Sequence, residues 1–279
     1  MQKLFRDLSY RTSKLITVSY STSFSVAVSY LEPEIREAIY SIYGFVRLAD
    51  EIIDSFQDYD QEKLIRQFER DYYEAVEDKI SLNPALNSFQ ETVRKFRIPD
   101  ELTKAFMKSM KADLVKSTYN TKDETDEYVY GSAEVVGLMC LMVFVRGNEQ
   151  LYNQLKEPAR RLGAAFQKVN FLRDIRNDTI DLNRHYFHNT IGKEFSEEVK
   201  KEIIDDIRKD FSSSLPGIKK LPADSLIGVL IAYYYFLELL KKIDRTPAKK
   251  QFERRIRIHD LFKLLILSKA LVISKLRLI

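Results

Sequence analysis

Residues that could do chemistry are concentrated in residues 170–178, which read NFLRDIRND. Asp174 and Asp178 lie four positions apart, which places both carboxylates on one face of a helix. Asn170 lies one turn before Asp174, and Arg173 borders the same face. Carboxylates bind hard cations such as Mg²⁺, and a guanidinium binds phosphate oxygens through paired hydrogen bonds. This stretch therefore could hold a divalent cation together with a phosphorylated ligand.

A second stretch, residues 47–54 with the sequence RLADEIID, repeats this arrangement. Arg47, Asp50 and Asp54 share one helical stripe, which begins one turn earlier with Tyr43. One D-x-x-x-D pattern usually marks surface charge, but two copies, each with an arginine nearby, are far less expected by chance. Two facing pairs of carboxylates repel each other unless a cation lies between them. We therefore predict a Mg²⁺–diphosphate clamp between two helices, with Mn²⁺ as an alternative metal.

Both stretches lie in segments whose apolar residues recur at helical spacing. Glycine (8) and proline (7) are scarce, and no alternating strand pattern occurs. We predict a single all-α domain over residues 1–279. The predicted helices are 3–19, 34–56, 60–79, 85–96, 100–118, 127–146, 149–180, 197–213, 222–243 and 248–277. Residues 20–24 and 121–126 are predicted to interrupt the helices, and 183–196 to form a loop.

Composition and charge argue against several other classes of protein. The net charge is +4 with 31% charged residues, which is a mixed surface rather than the basic stripe of a nucleic-acid-binding protein. The single cysteine, Cys140, cannot form an internal disulfide and favours a reducing cytoplasm. We see no apolar signal-peptide region at the N-terminus and no apolar run near the ~18 residues that span a bilayer. The expected location is cytoplasmic.

The C-terminal part of the chain is basic. The basic residues near its start are Lys249, Lys250, Arg254, Arg255 and Arg257. They fit either a solvated helix face or contact with an anion, such as a phosphorylated ligand or a lipid surface. Residues 261–279 are apolar but interrupted by basic residues, so they could pack on the core or lie on a membrane. We favour core packing and keep peripheral contact with the inner face of the membrane as an alternative.

Residues 128–139, YVYGSAEVVGLM, form a predicted helix rich in small residues. Such residues permit close approach of either a ligand or a neighbouring helix. Tyr130 and the many phenylalanines could line a cavity that holds a hydrocarbon and stabilises a carbocation through the ring quadrupoles. Ordinary core packing is the alternative for most of these rings.

These motifs together resemble the squalene/phytoene synthase family over nearly the whole chain. The resembling segments are YSTSF with LEPEIREAIYSIYGFVRLADEIID, YVYGSAEVVG, QKVNFLRDIRND with NRHYF, and FERRIRI. The resemblance implies the isoprenoid synthase fold, a helical bundle around a central apolar cavity. It also implies prenyl diphosphate substrates.

The resemblance implies head-to-head condensation of two prenyl diphosphates through a cyclopropylcarbinyl diphosphate. The favoured reaction joins two geranylgeranyl diphosphates to phytoene, as in 15-cis-phytoene synthases of bacterial carotenoid biosynthesis, particularly of the Bacteroidetes type. That reaction needs no NADPH. The alternatives are squalene or dehydrosqualene synthesis from farnesyl diphosphate, and a non-catalytic scaffold.

The resemblance also implies roles for individual residues. The implied metal ligands are Asp50, Asp54, Asn170, Asp174 and Asp178. The implied substrate contacts are Ser21, Ser23, Tyr43, Arg47, Gln167, Arg173, Arg184 and Phe252. Tyr130 is expected to join the four aspartates as a catalytic residue by assisting proton or diphosphate handling. No pattern in the sequence specifies an oligomeric state.

Overall fold

The computed structural model describes residues 2–191, 195–253 and 255–276, and these ranges contain no β-strand. The α-helices are α1 (Gln2–Tyr20), α2 (Thr22–Ser29), α3 (Pro33–Ser55), α4 (Gln61–Asp78), α5 (Pro84–Phe96), α6 (Asp100–Ala112), α7 (Lys122–Val129), α8 (Val135–Phe144), α9 (Glu149–Arg176), α10 (Glu197–Ile218), α11 (Ala223–Arg245), α12 (Ala248–Gln251) and α13 (Asp260–Leu276). Two π-helical turns, Tyr130–Glu134 and Asn177–Asp181, follow α7 and α9, and His188–Thr190 is a 3-10 turn. The prediction of an all-α fold is confirmed.

The interruption predicted at 20–24 is a single residue, Ser21, between α1 and α2, and the interruption predicted at 121–126 lies earlier, between α6 and α7. In each case a hydroxyl residue caps the helix that follows. Ser21 accepts a hydrogen bond from the Phe24 N–H at 3.4 Å and thereby starts α2. Thr121 and Glu124 form a reciprocal capping box, so the polar segment after Thr121 is the start of α7. Ser21 and Thr121 therefore each precede the first residue of a helix.

The predicted helix 100–118 ends early, at Ala112, because the following backbone bonds elsewhere. The His185 N–H donates to the Ser117 carbonyl at 2.7 Å, and the Tyr119 N–H donates to the His185 carbonyl at 3.0 Å. These bonds fix the loop after the second π turn against the segment between α6 and α7. The same loop carries Arg184 into the candidate site.

The predicted C-terminal helix 248–277 is divided in the structure. It breaks after α12, and residues 255–259 are not helical. Ile256 and Ile258 are buried whereas their neighbours are exposed, which is the period of an extended segment. The helix resumes as α13, which packs on α11 through buried Ile266 and Ala270. Arg254 and the predicted end at residue 277 lie outside the described residues.

Two apolar clusters form the core. The first joins α3, α4, α5, α6 and α8, and the second joins α7, α9, α10, α11 and α13. At the centre of the first, the Phe45 ring is fully buried and stacks on Phe89 with centroids 4.1 Å apart. Between the clusters lies the cavity that forms the candidate site.

Truncation of Phe45 to alanine should lower the free energy of unfolding by about 3–5 kcal/mol, because a buried ring is replaced by a void. Urea unfolding followed by circular dichroism measures this change. Leu82→Ala is the matched control, since Leu82 is 91% exposed and its truncation should change stability by less than about 0.5 kcal/mol. Equal losses for the two variants would contradict the assignment of the core.

The face that α1 buries carries three small hydroxyl residues beside Tyr10. Ser9, Ser13 and Thr17 have no exposed surface. The Ser13 hydroxyl hydrogen-bonds that of Ser88 at 2.8 Å and lies against Gly44 of α3, where an added Cβ would come within 2.9 Å of Ser13 Oγ. Small side chains therefore bring α1 into close contact with α3 and α5.

Two helical segments of the described chain, Lys122–Phe144 and Ala223–Arg245, are long and apolar enough to span a membrane. The expectation that no segment reaches this length was wrong for these two. Their most apolar windows are 56% and 44% buried within the protein. Core helices of globular proteins pass the same test, so the finding is weak support for a membrane span.

Candidate active site

The site is built around an elongated cavity of about 990 Å³ between the two core clusters. Its walls come from α2, α3, α8, α9, α10 and α11, and the segment 255–259 covers one side. Polar residues collect at the end formed by Arg47, Asp50, Asn170 and Arg173, and the rest of the wall is mostly apolar. Cys140 lines the apolar part, where burial raises the pKa of its thiol to about 12.

The structure brings the four predicted aspartates together at the polar end. Asp50 and Asp54 of α3 interact electrostatically, and so do Asp174 of α9 and Asp178 of the second π turn. The charge of Asp54 also acts on Asp178, so the two pairs face each other. Asp50 lines the cavity, and the other three lie beside its lining residues.

Crowding of these acids shifts two of their pKa values upward. Burial, followed by the charge of Asp54, raises the pKa of Asp50 to about 8. Burial, followed by the charge of Asp174, raises the pKa of Asp178 to about 7. Neighbouring arginines oppose both shifts without cancelling them. The carboxylates of Asp50 and Asp178 are therefore only partly compensated by the arginines, and a bound cation would supply further positive charge.

Arginines neutralise the other two aspartates. Arg184 donates from Nη1 to Asp54 Oδ1 at 2.6 Å, and its side chain is 12% exposed. Asp174 accepts hydrogen bonds from Arg173 and from Arg255, whose Nε lies 2.7 Å from Asp174 Oδ1. Arg184 and Arg255 come from loops distant in sequence, so both loops are fixed to the acidic cluster.

Arg47 has unused hydrogen-bonding capacity at the cavity wall. One end of its guanidinium pairs with Glu51, and the group lies 4.3 Å above the Tyr20 ring. Its Nε is buried and has no partner among the described residues. A buried donor without a partner is costly, and a phosphate oxygen would satisfy it.

The carboxylates of this site fit a Mg²⁺ ion that is also bound by substrate phosphate oxygens better than an ion bound by protein side chains alone. Among the described residues, no three acidic, histidine or cysteine side chains converge closely enough to hold a metal ion by themselves. Mg²⁺ commonly uses one or two carboxylates together with waters and substrate phosphate oxygens. The undercompensated carboxylates of Asp50 and Asp178 fit that pattern. The metal ligands, including Asn170, stay a prediction.

Most of the predicted substrate-binding residues also line the cavity. Ser21 and Ser23 lie at the start of α2, and the Phe24 ring stacks on Tyr43 with centroids 5.0 Å apart. Gln167 of α9 donates weakly to the Ser132 hydroxyl at 3.5 Å. The roles of these residues stay predictions, but their positions agree with the expected contacts.

Tyr130 lies apart from the predicted site. Its ring packs beneath Arg160 at 5.3 Å and is 36% exposed, and it is absent from the cavity wall. Tyr128 lines the cavity instead, because residues two positions apart on a helix point about 200° apart. Tyr128, Ser132 and Val136 share the cavity face at four-residue spacing. That spacing is visible in the sequence and could have identified Tyr128.

Phe252 also lies away from the cavity wall. It is half-buried at the end of α12 and meets the Phe195 ring edge-on at 5.6 Å. The cavity contact from this part of the chain begins three residues later, with Arg255. The turn after α12 separates Phe252 from the extended segment that covers the cavity.

Sequence reasoning missed a buried network around Asp113. Its carboxylate accepts hydrogen bonds from the hydroxyls of Tyr119, at 3.0 Å, and Tyr128. Tyr186 stacks on both rings, and the charge of Arg184 acts on Asp113. Burial raises the pKa of Asp113 to about 6. The network connects the cavity-lining Tyr128 with the loop that carries Arg184.

The family model that describes squalene/phytoene synthases matches residues 17–261, which includes every element of this site. The chain belongs to the squalene/phytoene synthase family. Family membership makes it a prenyltransferase-type enzyme. The resemblance inferred from the motifs is confirmed, including its all-α fold.

Individual relatives differ in the products that their names give. The chain is 26% identical over 278 residues to phytoene synthase 2, chloroplastic, of Oryza sativa subsp. japonica, covering 91% of this chain and 68% of that one. It is 26% identical over 196 residues to 4,4'-diapophytoene synthase of Staphylococcus haemolyticus, covering 70% and 67%. The crystal structure of a ligand-bound dehydrosqualene synthase superposes with a TM-score of 0.83 at 20% identity, covering 97% and 98%. That likeness shows a shared fold.

Proposed function

We propose that this protein condenses two molecules of geranylgeranyl diphosphate head to head into phytoene, a step of carotenoid biosynthesis. The observation that carries the proposal is the position of two aspartate-bearing helices, α3 and α9, at one end of a long apolar cavity. The polar end suits two diphosphates, and the apolar walls suit two hydrocarbon chains. The rice relative named phytoene synthase supports this product.

The length of the cavity supports a C20 substrate. Its lining residues on α9 extend from Arg173 to Leu155, a distance of about 27 Å at 1.5 Å per residue. With carbon–carbon bonds of about 1.5 Å, four isoprene units extend roughly 20 Å and three extend roughly 15 Å. The lining along α9 is therefore long enough for a geranylgeranyl chain and its diphosphate.

The proposed reaction has two half-reactions. In the first, the C1–O bond of one substrate breaks and the diphosphate takes the electron pair. The double bond of the second substrate attacks the allylic cation, and loss of a proton closes a cyclopropane ring. In the second, the remaining diphosphate leaves with its electron pair, the ring rearranges, and loss of another proton gives phytoene. No reductant is consumed, so NADPH is not required.

Residues of the chain have distinct parts in this scheme. Arg47, Arg173 and Arg255 bind diphosphate oxygens and compensate the charge that develops as each leaving group departs. We assign the handling of a departing proton or diphosphate to Tyr128, which lines the cavity and whose hydroxyl donates to Asp113. The apolar walls keep water from the cations. The chemistry supplied by bound Mg²⁺, held by the aspartates, would be Lewis-acid help to the leaving diphosphate.

The alternative product is a C30 hydrocarbon made from farnesyl diphosphate. The relative named 4,4'-diapophytoene synthase favours it. Dehydrosqualene forms by the same two half-reactions, whereas squalene forms when a hydride from NADPH quenches the final cation in place of the second proton loss. Both alternatives use the same acidic cluster, and in both a farnesyl chain occupies the cavity in place of a geranylgeranyl chain.

Product analysis tests the proposal. Purified protein is incubated with Mg²⁺ and either geranylgeranyl or farnesyl diphosphate, with and without NADPH, and hydrocarbons are identified by mass spectrometry. We expect a C40 product from the C20 substrate without NADPH, and none after addition of EDTA. A C30 product formed in preference would move the enzyme to the alternative reaction. Absence of turnover by folded protein would revive the scaffold interpretation.

A further inference from the structure

The outward face of α1 exposes four large apolar side chains, whereas an ordinary surface helix turns its apolar residues toward the core. Leu4, Leu8, Leu15 and Val18 are 73%, 51%, 66% and 44% exposed. At 100° per residue, these four side chains fall within a stripe about 80° wide. The opposite, buried face carries the small hydroxyl residues Ser9, Ser13 and Thr17. An exposed apolar stripe of this kind marks an interaction surface.

The stripe continues onto α2 and leads to the cavity. Val18 and Val26 line one shallow surface depression, and Val26 is 43% exposed. The end of α1, Tyr20, and the first residues of α2 line the cavity itself. Helix α2 therefore contributes both to the exposed apolar surface, through Val26, and to the wall of the cavity, through its first residues.

At 100° per residue, Lys3 and Lys14 border one edge of the stripe and Arg11 falls within it. Residues 2–30 contain four basic residues, Lys3, Arg6, Arg11 and Lys14, and one acidic residue, Asp7. This segment therefore carries three of the net four positive charges of the chain. Arg6 pairs with Glu91, whereas Lys3, Arg11 and Lys14 form no ion pair with any described residue. Leucines flanked by unpaired cations are typical of helices that lie in a lipid interface.

We propose that α1, with the exposed part of α2, is the surface through which this protein binds an anionic membrane. A second copy of the chain fits less well, because a two-fold interface would place the same basic residues against each other. On an anionic membrane, the lipid head groups carry the charge opposite to the basic residues, and the apolar interior can take up the leucines. This surface is separate from the C-terminal segment 261–279, for which the sequence left membrane contact as an alternative to core packing, and it does not depend on which prenyl diphosphate is used.

Vesicle flotation with the full-length protein tests the proposal. Vesicles of phosphatidylcholine with phosphatidylglycerol are compared with phosphatidylcholine alone. The test variant is Leu4→Gln/Leu8→Gln/Leu15→Gln. The matched control variant is Leu264→Gln/Leu265→Gln/Val272→Gln, which removes three exposed apolar residues from α13. Thermal unfolding of each variant confirms that it is folded.

We expect the parent to bind the anionic vesicles, with binding reduced by salt, and the α1 variant to partition at least about tenfold more weakly. The α13 control should bind like the parent. Retained binding by the α1 variant, loss of binding by the α13 control, or absence of binding by the parent would each overturn the proposal. A parent dimer that the α1 substitutions convert to monomer, seen by light scattering, would instead assign this face to self-association.

Discussion

Replacement of Asp50 by asparagine should reduce the turnover number by about a hundred- to a thousandfold while leaving the protein folded. Asparagine keeps the shape of the side chain but removes one of the charges that could hold a cation against the departing diphosphate, and single electrostatic groups of this kind contribute about that much. Steady-state rates at saturating substrate measure the loss. Asp50 is the aspartate that lines the cavity directly, so its effect should be among the largest.

The same substitution should not destabilise the metal-free protein. Folding raises the pKa of Asp50 from 3.8 to about 8, so the native state binds more protons than the unfolded state between these values. The free energy of unfolding therefore falls as the pH rises through this window. The substituted asparagine side chain cannot ionise, so this contribution to the pH dependence should disappear. At pH 8 the metal-free variant should be at least as stable as the parent.

Asp58→Asn is the control for Asp50→Asn, since Asp58 is exposed and lies in the turn after α3. It should change neither the rate nor the pH dependence of unfolding. A rate for Asp50→Asn within threefold of the parent would remove Asp50 from the proposed clamp. A large fall in the stability of Asp50→Asn at pH 8 would show that neighbouring positive charges stabilise the Asp50 carboxylate more than the raised pKa indicates.

Tyr128→Phe should lower turnover by about a hundredfold, whereas Tyr130→Phe should change it less than about twofold. The Tyr128 hydroxyl is hydrogen-bonded to Asp113 at the cavity wall, and the Tyr130 hydroxyl is on the other side of the helix, near Arg160. Both variants lose one hydroxyl from neighbouring positions of the same helical run, so each is a close control for the other.

Rates and product profiles of the two tyrosine variants should be measured together. If Tyr128 acts on the cationic steps, its loss should also release the cyclopropylcarbinyl intermediate or misdirected products. Tyr72→Phe removes a buried hydroxyl that bonds Thr103 away from the cavity, and it controls for general loss of packing. A larger effect at Tyr130 than at Tyr128 would contradict the placement of these rings.

The sequence predicted those parts of the site that depend on spacing within one helix. Asp50 and Asp54 on α3, and Asp174 one turn before Asp178, are local patterns that any helix converts into a common face. That the two pairs face each other was inferred from the repeated pattern, since a cation between them would offset the repulsion of the four carboxylates. Residues that reach the site from distant loops, such as Arg255, carry no local pattern that specifies a partner.

The fold was predicted on the same basis, and its errors lie at helix ends. Apolar periodicity identified the long helices such as α3 and α9. Ser21 and Thr121 were interpreted as interruptions because hydroxyl residues disfavour helix interiors, although the same residues favour helix starts. The early end of α6 depends on backbone bonds to His185, some seventy residues away, which periodicity cannot detect.

The two π-helical turns have a consequence for insertions and deletions. Each holds one residue more than an α-helical turn, and such turns are frequent at functional sites. Deleting one residue from Tyr130–Glu134 would restore α-helical geometry and rotate Tyr128 by about 100° relative to α8. Deletion of Asn177 from the second turn would likewise rotate Asp178 by about 100° relative to α9 and turn it away from Asp54. A change of length by a single residue in either turn would therefore separate the two halves of the site.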